Sequence, residues 1–253
     1  TVYSFLVDGY CRIGRINLSV ELFFRMCKMG VSVSHYALLK MLSSLIDLRC
    51  LDLILDVYKE MENRSKGEPK RCFDVYGFVM NGFFKNEEAS IGLEFHRKMI
   101  ERGSKPDIVY CNKVLKSICC GYSSIEVANK LLLLLLDVGP RPNVVTFTTL
   151  INGYCKEQRL EEAFKLYVLM IGRGIEPDLI VYSILIDGLF KVGKFEEGHQ
   201  LLSTALGKGV KLDVVIFSSI IDACVRDGDV ERGILVFKKM LKEGICPTLV
   251  TYG

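Results

Sequence analysis

The chain has 253 residues, half of them hydrophobic and a quarter charged, the balance of a folded soluble chain and not of a disordered one. Lysines and arginines number 33 against 30 aspartates and glutamates, a formal net charge of only +3, so a basic footprint for a polyanion has to be local. The ten cysteines form no CxxC pair and join no histidine at zinc-ligand spacing. They are expected to be reduced thiols packed as small hydrophobes in an intracellular compartment, with no metal and no cofactor.

Read from the first residue, the chain repeats itself. A first unit runs from about Thr1 to Ser34, with Tyr3, Gly9, Arg12, Gly14, Met26 and Gly30 in a phase that later units keep. A second, 35–72, is degenerate: Leu38 and Leu39 stand where an aromatic and a polar residue recur elsewhere. It also carries three extra residues within Glu62–Arg71, where charges, Gly67 and Pro69 predict a longer exposed connection. A third unit, 73–107, restores the pattern with Tyr76, Lys85, Met99, Gly103, Pro106 and Asp107. The fourth, 108–143, has one extra residue, placed near Cys120–Ser124. Units 144–178, 179–213 and 214–248 follow at a strict spacing of thirty-five, and 249–253 opens another. Thr1 stands in mid-pattern, so both ends are expected to be cuts through a longer array, with any targeting peptide outside this sequence.

Unit 144–178 shows what one repeat is. Phe147, Leu150, Ile151 and Tyr154 make one apolar stripe at helical spacing; Leu160, Ala163, Phe164, Leu166, Tyr167 and Met170 make another. Lys156–Arg159 divides them, Gly174 suits a left-handed helix end, and Pro177 stops the second helix. The unit is a helix–turn–helix hairpin, stable only when stacked on neighbours. A small residue recurs early in the second helices (Ser19, Gly92, Ala128, Ala163, Gly198, Gly233), interrupted only by Ile54, and implies close helix–helix approach. The greasy run Leu131–Leu136 is far too short for a membrane span and reads as part of one buried helix. The predicted fold is all-α, one solenoid of about seven such repeats.

The stretches VVTFTTLINGYCKEQRLEEAFKLY, IVYSILIDGLFKVGKFEEGHQLL and VIFSSIIDACVRDGDVERGILVFKKM, with the ending GIEPD, resemble the pentatricopeptide repeat of plant-type P-class arrays. The related tetratricopeptide repeat fits less well: its period is thirty-four, and its usual tryptophan is absent from this chain. The resemblance implies a right-handed superhelix that binds single-stranded RNA, one nucleotide per repeat, read by the residue after the opening aromatic and the last residue of the repeat. On this chain those pairs are Ser4 with Ser34, Gly77 with Asp107, Asn112 with Asn143, Thr148 with Asp178, Ser183 with Asp213, and Ser218 with Thr248. Ionised Asp178 and Asp213 are pure acceptors and suit the adjacent donors of guanine, whereas Asn112 and Asn143 suit pyrimidines. The implied order across Asn112–Asp213 is pyrimidine, G, G. Gly77 has no side chain to read with, and Ser218 with Thr248 is not decoded.

The resemblance further implies that Val109, Val145, Ile180 and Val215 sandwich the bases, although aliphatics at helical spacing suit a core equally well. Arg12, Lys85, Lys156, Lys191 and Arg226 recur in phase and are expected to contact phosphates as a stripe. His35, His96 and His199 form no catalytic or metal grouping, and the glutamate pairs 161–162 and 196–197 open second helices, where the helix dipole favours acids. No enzyme is expected. A protein-binding scaffold without RNA readout is the alternative reading. By the resemblance, the place of action is a plant mitochondrion or chloroplast, in RNA processing, stability, editing or translation.

Overall fold

A computed structural model describes residues 2–64, 69–86, 88–104, 106–122, 124–226 and 228–252, without the side chains of 69–73, 121, 122 and 250. No strand occurs among them. The chain packs as two compact units, Thr1–Pro142 and Asn143–Gly253. The first holds helices α1 (Val2–Arg12), α2 (Ile16–Lys28), α3 (His35–Asp47), α4 (Leu51–Arg64), α5 (Pro69–Lys85), α6 (Ala89–Glu101), α7 (Ile108–Ser117) and α8 (Ile125–Asp137). The second holds α9 (Val144–Lys156), α10 (Leu160–Gly172), α11 (Leu179–Lys191), α12 (Phe195–Gly207), α13 (Val214–Arg226), α14 (Val230–Lys242) and the short α15 (Leu249–Tyr252).

Within each unit the odd-numbered helices pack on one another in succession, α1–α3–α5–α7 and α9–α11–α13–α15, and each of α1, α3, α5, α9, α11 and α13 also packs on the helix that follows it. The expected stripe of α9 is the core of its hairpin: Phe147, Leu150, Ile151 and Tyr154 are all buried. The opening aromatics Tyr76, Phe147, Tyr182 and Phe217 are fully buried. Tyr182 receives Tyr167 of the preceding repeat edge-on, with ring centroids 6.1 Å apart. Phe237 meets Tyr252 in the same way at 5.8 Å. In this manner each hairpin covers apolar surface that its neighbour cannot bury alone. Gly174 takes the left-handed conformation (φ +73°), its N–H and that of Ile175 returning to Ile171 and Met170 carbonyls at the end of α10.

Two irregular units depart from expectation. At 62–71, α4 continues to Arg64 and α5 starts at Pro69; the connection expected there falls on 65–68, outside the described residues. Proline suits the first helical position because its missing N–H would have no partner there. The first helix of the third repeat therefore starts before Phe73, and Cys72 lies within it, its side chain outside the described residues. The extra residue of the fourth repeat is absorbed in a π-helical turn, Ile118–Tyr122, which widens the helix by one residue and lets α8 begin in register.

The small residues early in the second helices are all buried. A Cβ added at Gly198 would lie 2.5 Å from Cε2 of Phe190, whose ring is already held edge-on by Phe195 and His199. At Gly233 the nearest atom would be 3.6 Å away, an ordinary contact. Ile54 fills the corresponding place in the second repeat and is itself fully buried.

The first unit also buries a polar chain linking α5, α6 and α7. The Tyr76 hydroxyl lies 2.8 Å from His96 Nδ1 and 3.7 Å from Cys111 Sγ. His96 Nε2 is buried without a partner among the described residues. The charged imidazole would carry a proton on both nitrogens, with nothing to accept the one on Nε2, and burial lowers its pKa to about 4.

Three outcomes follow for stability. Gly198→Ala should lower the melting temperature, at a cost of about 1–3 kcal/mol for forced repacking. Gly233→Ala should raise stability by about 0.5–1 kcal/mol through helix propensity alone. His96 binds a proton more readily unfolded than folded, so its contribution is intact above pH 6.5 and is lost as pH falls toward 4. Denaturant titrations at neutral pH and near pH 4.5 should show His96→Gln losing less stability than the parent over this interval, by up to about 3 kcal/mol.

Candidate nucleic-acid interface

Each odd-numbered helix needs a partner for its first free N–H groups, and in most repeats the last residue of the preceding repeat supplies it. Ser34 accepts from Ala37 N at 3.2 Å, Asp107 from Val109 N at 3.0 Å and Asn143 from Thr146 N at 3.2 Å. Asp178 accepts from Val181 N and Asp213 from Ile216 N, both at 3.0 Å. Thr248 differs: its N–H donates to Thr251 Oγ1 at 3.0 Å, and the two hydroxyls lie 3.3 Å apart. Apart from the half-buried Asn143, these last residues are exposed.

Residues after the opening aromatic sit deeper, on the same helix ends. Ser4, Asn112 and Ser218 are each less than a tenth exposed; Leu39, Gly77, Thr148 and Ser183 are half-buried. Ser34 N donates to Ser4 Oγ at 3.3 Å, and Ser218 Oγ lies 2.8 Å from Thr251 Oγ1. The two members of a predicted pair therefore meet directly in the first repeat and through Thr251 in the seventh. Thr148 and Ser183 donate their hydroxyls to the carbonyls of Val144 and Leu179, at 2.7 and 2.5 Å, which leaves their oxygens as acceptors. At Gly77 an added Cβ would meet nothing within 4 Å, so the third repeat offers open space where others offer a polar atom. Around the seventh pair, a cavity of about 710 Å³ is lined by Val215, Ser218, Asp222, Thr248, Thr251 and Tyr252 among others.

Val109, Val145, Ile180 and Val215 are 52%, 55%, 56% and 65% exposed, whereas the residues two on, Cys111, Phe147, Tyr182 and Phe217, are buried. The core alternative for them is set aside by this exposure. Each lies in the first turn of its helix, between the capping residue and the sunken one.

The in-phase cations are unequal. Arg12, Lys191 and Arg226 each pair with a carboxylate one turn earlier on the same helix: Asp8 at 2.8 Å, Asp187 at 2.7 Å and Asp222. Lys85 and Lys156 have Asn81 and Asn152 in that place. Lys156 is exposed and makes no ion pair among the described residues. The i,i+4 carboxylates were legible in the sequence and change what the stripe can do, since a phosphate must displace them. Thr146 and Thr251, which hold the last-residue side chains, were also missed; an Asn-x-x-Thr or Thr-x-x-Thr spacing before an apolar run is the signal for them.

Family comparison agrees with this architecture. A family model described as "PPR repeat family" matches residues 142–191, one described as "Pentatricopeptide repeat domain" matches 200–253, and one described as "PPR repeat" matches 1–31, 74–104 and 180–210. The chain belongs to the pentatricopeptide repeat family. A pentatricopeptide repeat-containing protein of Arabidopsis thaliana is 47% identical over 155 residues, 61% of this chain and 18% of that protein. This chain spans less than a fifth of that relative's length. Among solved structures, the maize pentatricopeptide repeat protein PPR10 aligns over 99% of this chain and 40% of its own, with TM-score 0.57 and 19% identity. The same protein in complex with an 18-nt psaJ RNA element gives 0.53 and 19%, over 99% of this chain and 41% of that one. The pentatricopeptide repeat domain of Arabidopsis protein-only RNase P 1, in complex with tRNA, gives 0.52 at 15% identity, over 68% of this chain and 91% of that one. These structural likenesses establish the fold as an α-solenoid of the pentatricopeptide type.

Proposed function

We propose that this chain binds single-stranded RNA, each well-formed repeat receiving one nucleotide at the N-terminal end of its first helix. The observation that carries the reading is the exposure of Val109, Val145, Ile180 and Val215 at one place in four repeats. Folding gains nothing from apolar groups left in water, whereas a base entering between such groups would bury them. Beside each stands a capping side chain with hydrogen-bonding capacity and a second polar residue deeper in. The RNA-bound state of structurally similar proteins supports the choice of ligand.

On this reading Asp178 and Asp213 take guanine and Asn143 takes a pyrimidine, giving pyrimidine–G–G from 5′ to 3′ along the chain. The Asp178 carboxylate uses one oxygen for the Val181 N–H and offers the other to the donors on guanine's edge. The mechanism is occupation of an RNA segment, without chemistry, in RNA processing, stability, editing or translation. The family resemblance favours a plant mitochondrion or chloroplast as the site of that work, and the Arabidopsis relatives fit a plant source.

Selection from a randomised RNA pool should enrich a short motif containing pyrimidine–G–G; a protein-binding scaffold would enrich none. Asp178→Asn keeps the helix cap, since asparagine caps as well as aspartate. It should move the middle nucleotide from guanine toward adenine and leave its neighbours unchanged, and a uniform loss of affinity would count against base reading. Lys156→Ala should reduce the slope of log affinity against log salt by about 0.7, one phosphate contact. Lys191→Ala should change it less, because Asp187 already neutralises that lysine.

A further inference from the structure

In α9, α11, α13 and α15 the third residue hydrogen-bonds to the last residue of the repeat before it, through its backbone N–H or its hydroxyl, and its chemistry varies with that partner. Thr146 Oγ1 accepts from Asn143 N at 3.1 Å and donates to Asn143 Oδ1 at 3.2 Å, while Thr146 N donates to the same Oδ1 at 3.2 Å. Two protons aimed at one carboxamide atom fix that atom as oxygen, so the Nδ2 group, a donor, is what Asn143 turns away from the helix end. Thr146 is fully buried, so the arrangement is shielded from competing water.

After Asp107 the capping bond goes to the second residue of the helix, Val109, and the third is Tyr110; where an aspartate caps the third residue itself, that residue carries no hydroxyl. It is Val181 after Asp178 and Ile216 after Asp213, both buried, and each carboxylate receives one backbone N–H there. A hydroxyl in that place would donate to the carboxylate and consume acceptor capacity. In the seventh repeat Thr251 lies between Ser218 Oγ, at 2.8 Å, and Thr248 Oγ1, at 3.3 Å. Its single proton can go to only one of them, so the relay offers a donor at one end and an acceptor at the other, in either sense. Such a repeat favours no single base edge.

We propose that this third residue is a positioning residue that sets base specificity through the last-residue side chain of the preceding repeat. A hydroxyl polarises Asn143 into a donor for pyrimidine acceptors and makes the Ser218–Thr248 pair indifferent. An aliphatic leaves Asp178 and Asp213 as full acceptors for guanine. The inference rests on the RNA reading proposed above.

The test measures binding to a set of short single-stranded RNAs that differ at one nucleotide. Val181→Thr places beside Asp178 the hydroxyl that Thr146 places beside Asn143. It should lower the preference for guanine over adenine at that nucleotide by about three- to tenfold, the worth of one hydrogen bond, with flanking preferences unchanged. Thr146→Val, which installs the aliphatic found after the aspartates, should lower the preference for pyrimidine over purine at the Asn143 nucleotide by about threefold. If Val181→Thr fails to fold, Thr146→Val alone decides. Profiles that keep their shape while overall affinity falls, or do not change, overturn the proposal. Asp178→Asn measured in parallel separates the two levels. A shift with that variant and none with the other two overturns this inference alone; no shift with any of them overturns base reading itself.

Discussion

The helix N-cap is the constraint on which the rest of this molecule depends. A hairpin array must restart a helix at every repeat, and each restart exposes N–H groups that need an acceptor. Ser34, Asp107, Asn143, Asp178 and Asp213 meet that need, each worth about 1 kcal/mol to its helix. The residue types that cap helices are also those with compact, directional hydrogen-bonding groups. Folding therefore restricts the position at the interface to a small polar vocabulary, and exchanges within that vocabulary alter what is offered outward with little effect on the helix behind it. Architecture and recognition chemistry are here the same side chain.

Close packing supplies the second condition, because readers on adjacent helix ends are useful only if the hairpins keep a fixed spacing. Gly92 against Phe83 and Phe84, and Gly198 against Phe190, show how near the two helices of a hairpin come. The array holds this spacing even where the sequence has extra residues. One is taken up in the π-helical turn at Ile118–Tyr122, and those between the second and third repeats lengthen α4 and α5. The π-helical turn falls where a first helix ends, away from the turn that presents a cap.

Periodicity made the hairpins legible, because a repeated helical stripe such as Phe147, Leu150, Ile151 and Tyr154 has one physical explanation. It could not separate Val145 from Phe147. Both are apolar and two residues apart, and only the position of neighbouring helices puts one in water and the other in the core. At 62–71, where charges, Gly67 and Pro69 suggested a connection, helix extends to Arg64 on one side and begins at Pro69 on the other, a residue that suits a first helical position. The stripe of cations was visible, but the meaning of each depended on the residue one turn before it: Asp8, Asp187 and Asp222 in three repeats, Asn81 and Asn152 in two. Thr146 and Thr251 were passed over because a hydroxyl at a buried position shows its use only when its partners are known.

On the proposed RNA reading, those paired cations would let a chain of net charge +3 suit a polyanion without clinging to every one it meets. An exposed pair such as Lys191 with Asp187 contributes at most about 1 kcal/mol and is easily exchanged. A phosphate that displaces the aspartate gains little over it, so phosphate contacts at such repeats hold an RNA only weakly. Affinity then has to come from the exposed aliphatics and from hydrogen bonds that match the base, the two terms that depend on what the nucleotide is and how it sits. Lowering the charge-driven share of binding raises the sequence-dependent share, and on the proposed reading the i,i+4 aspartates would do this.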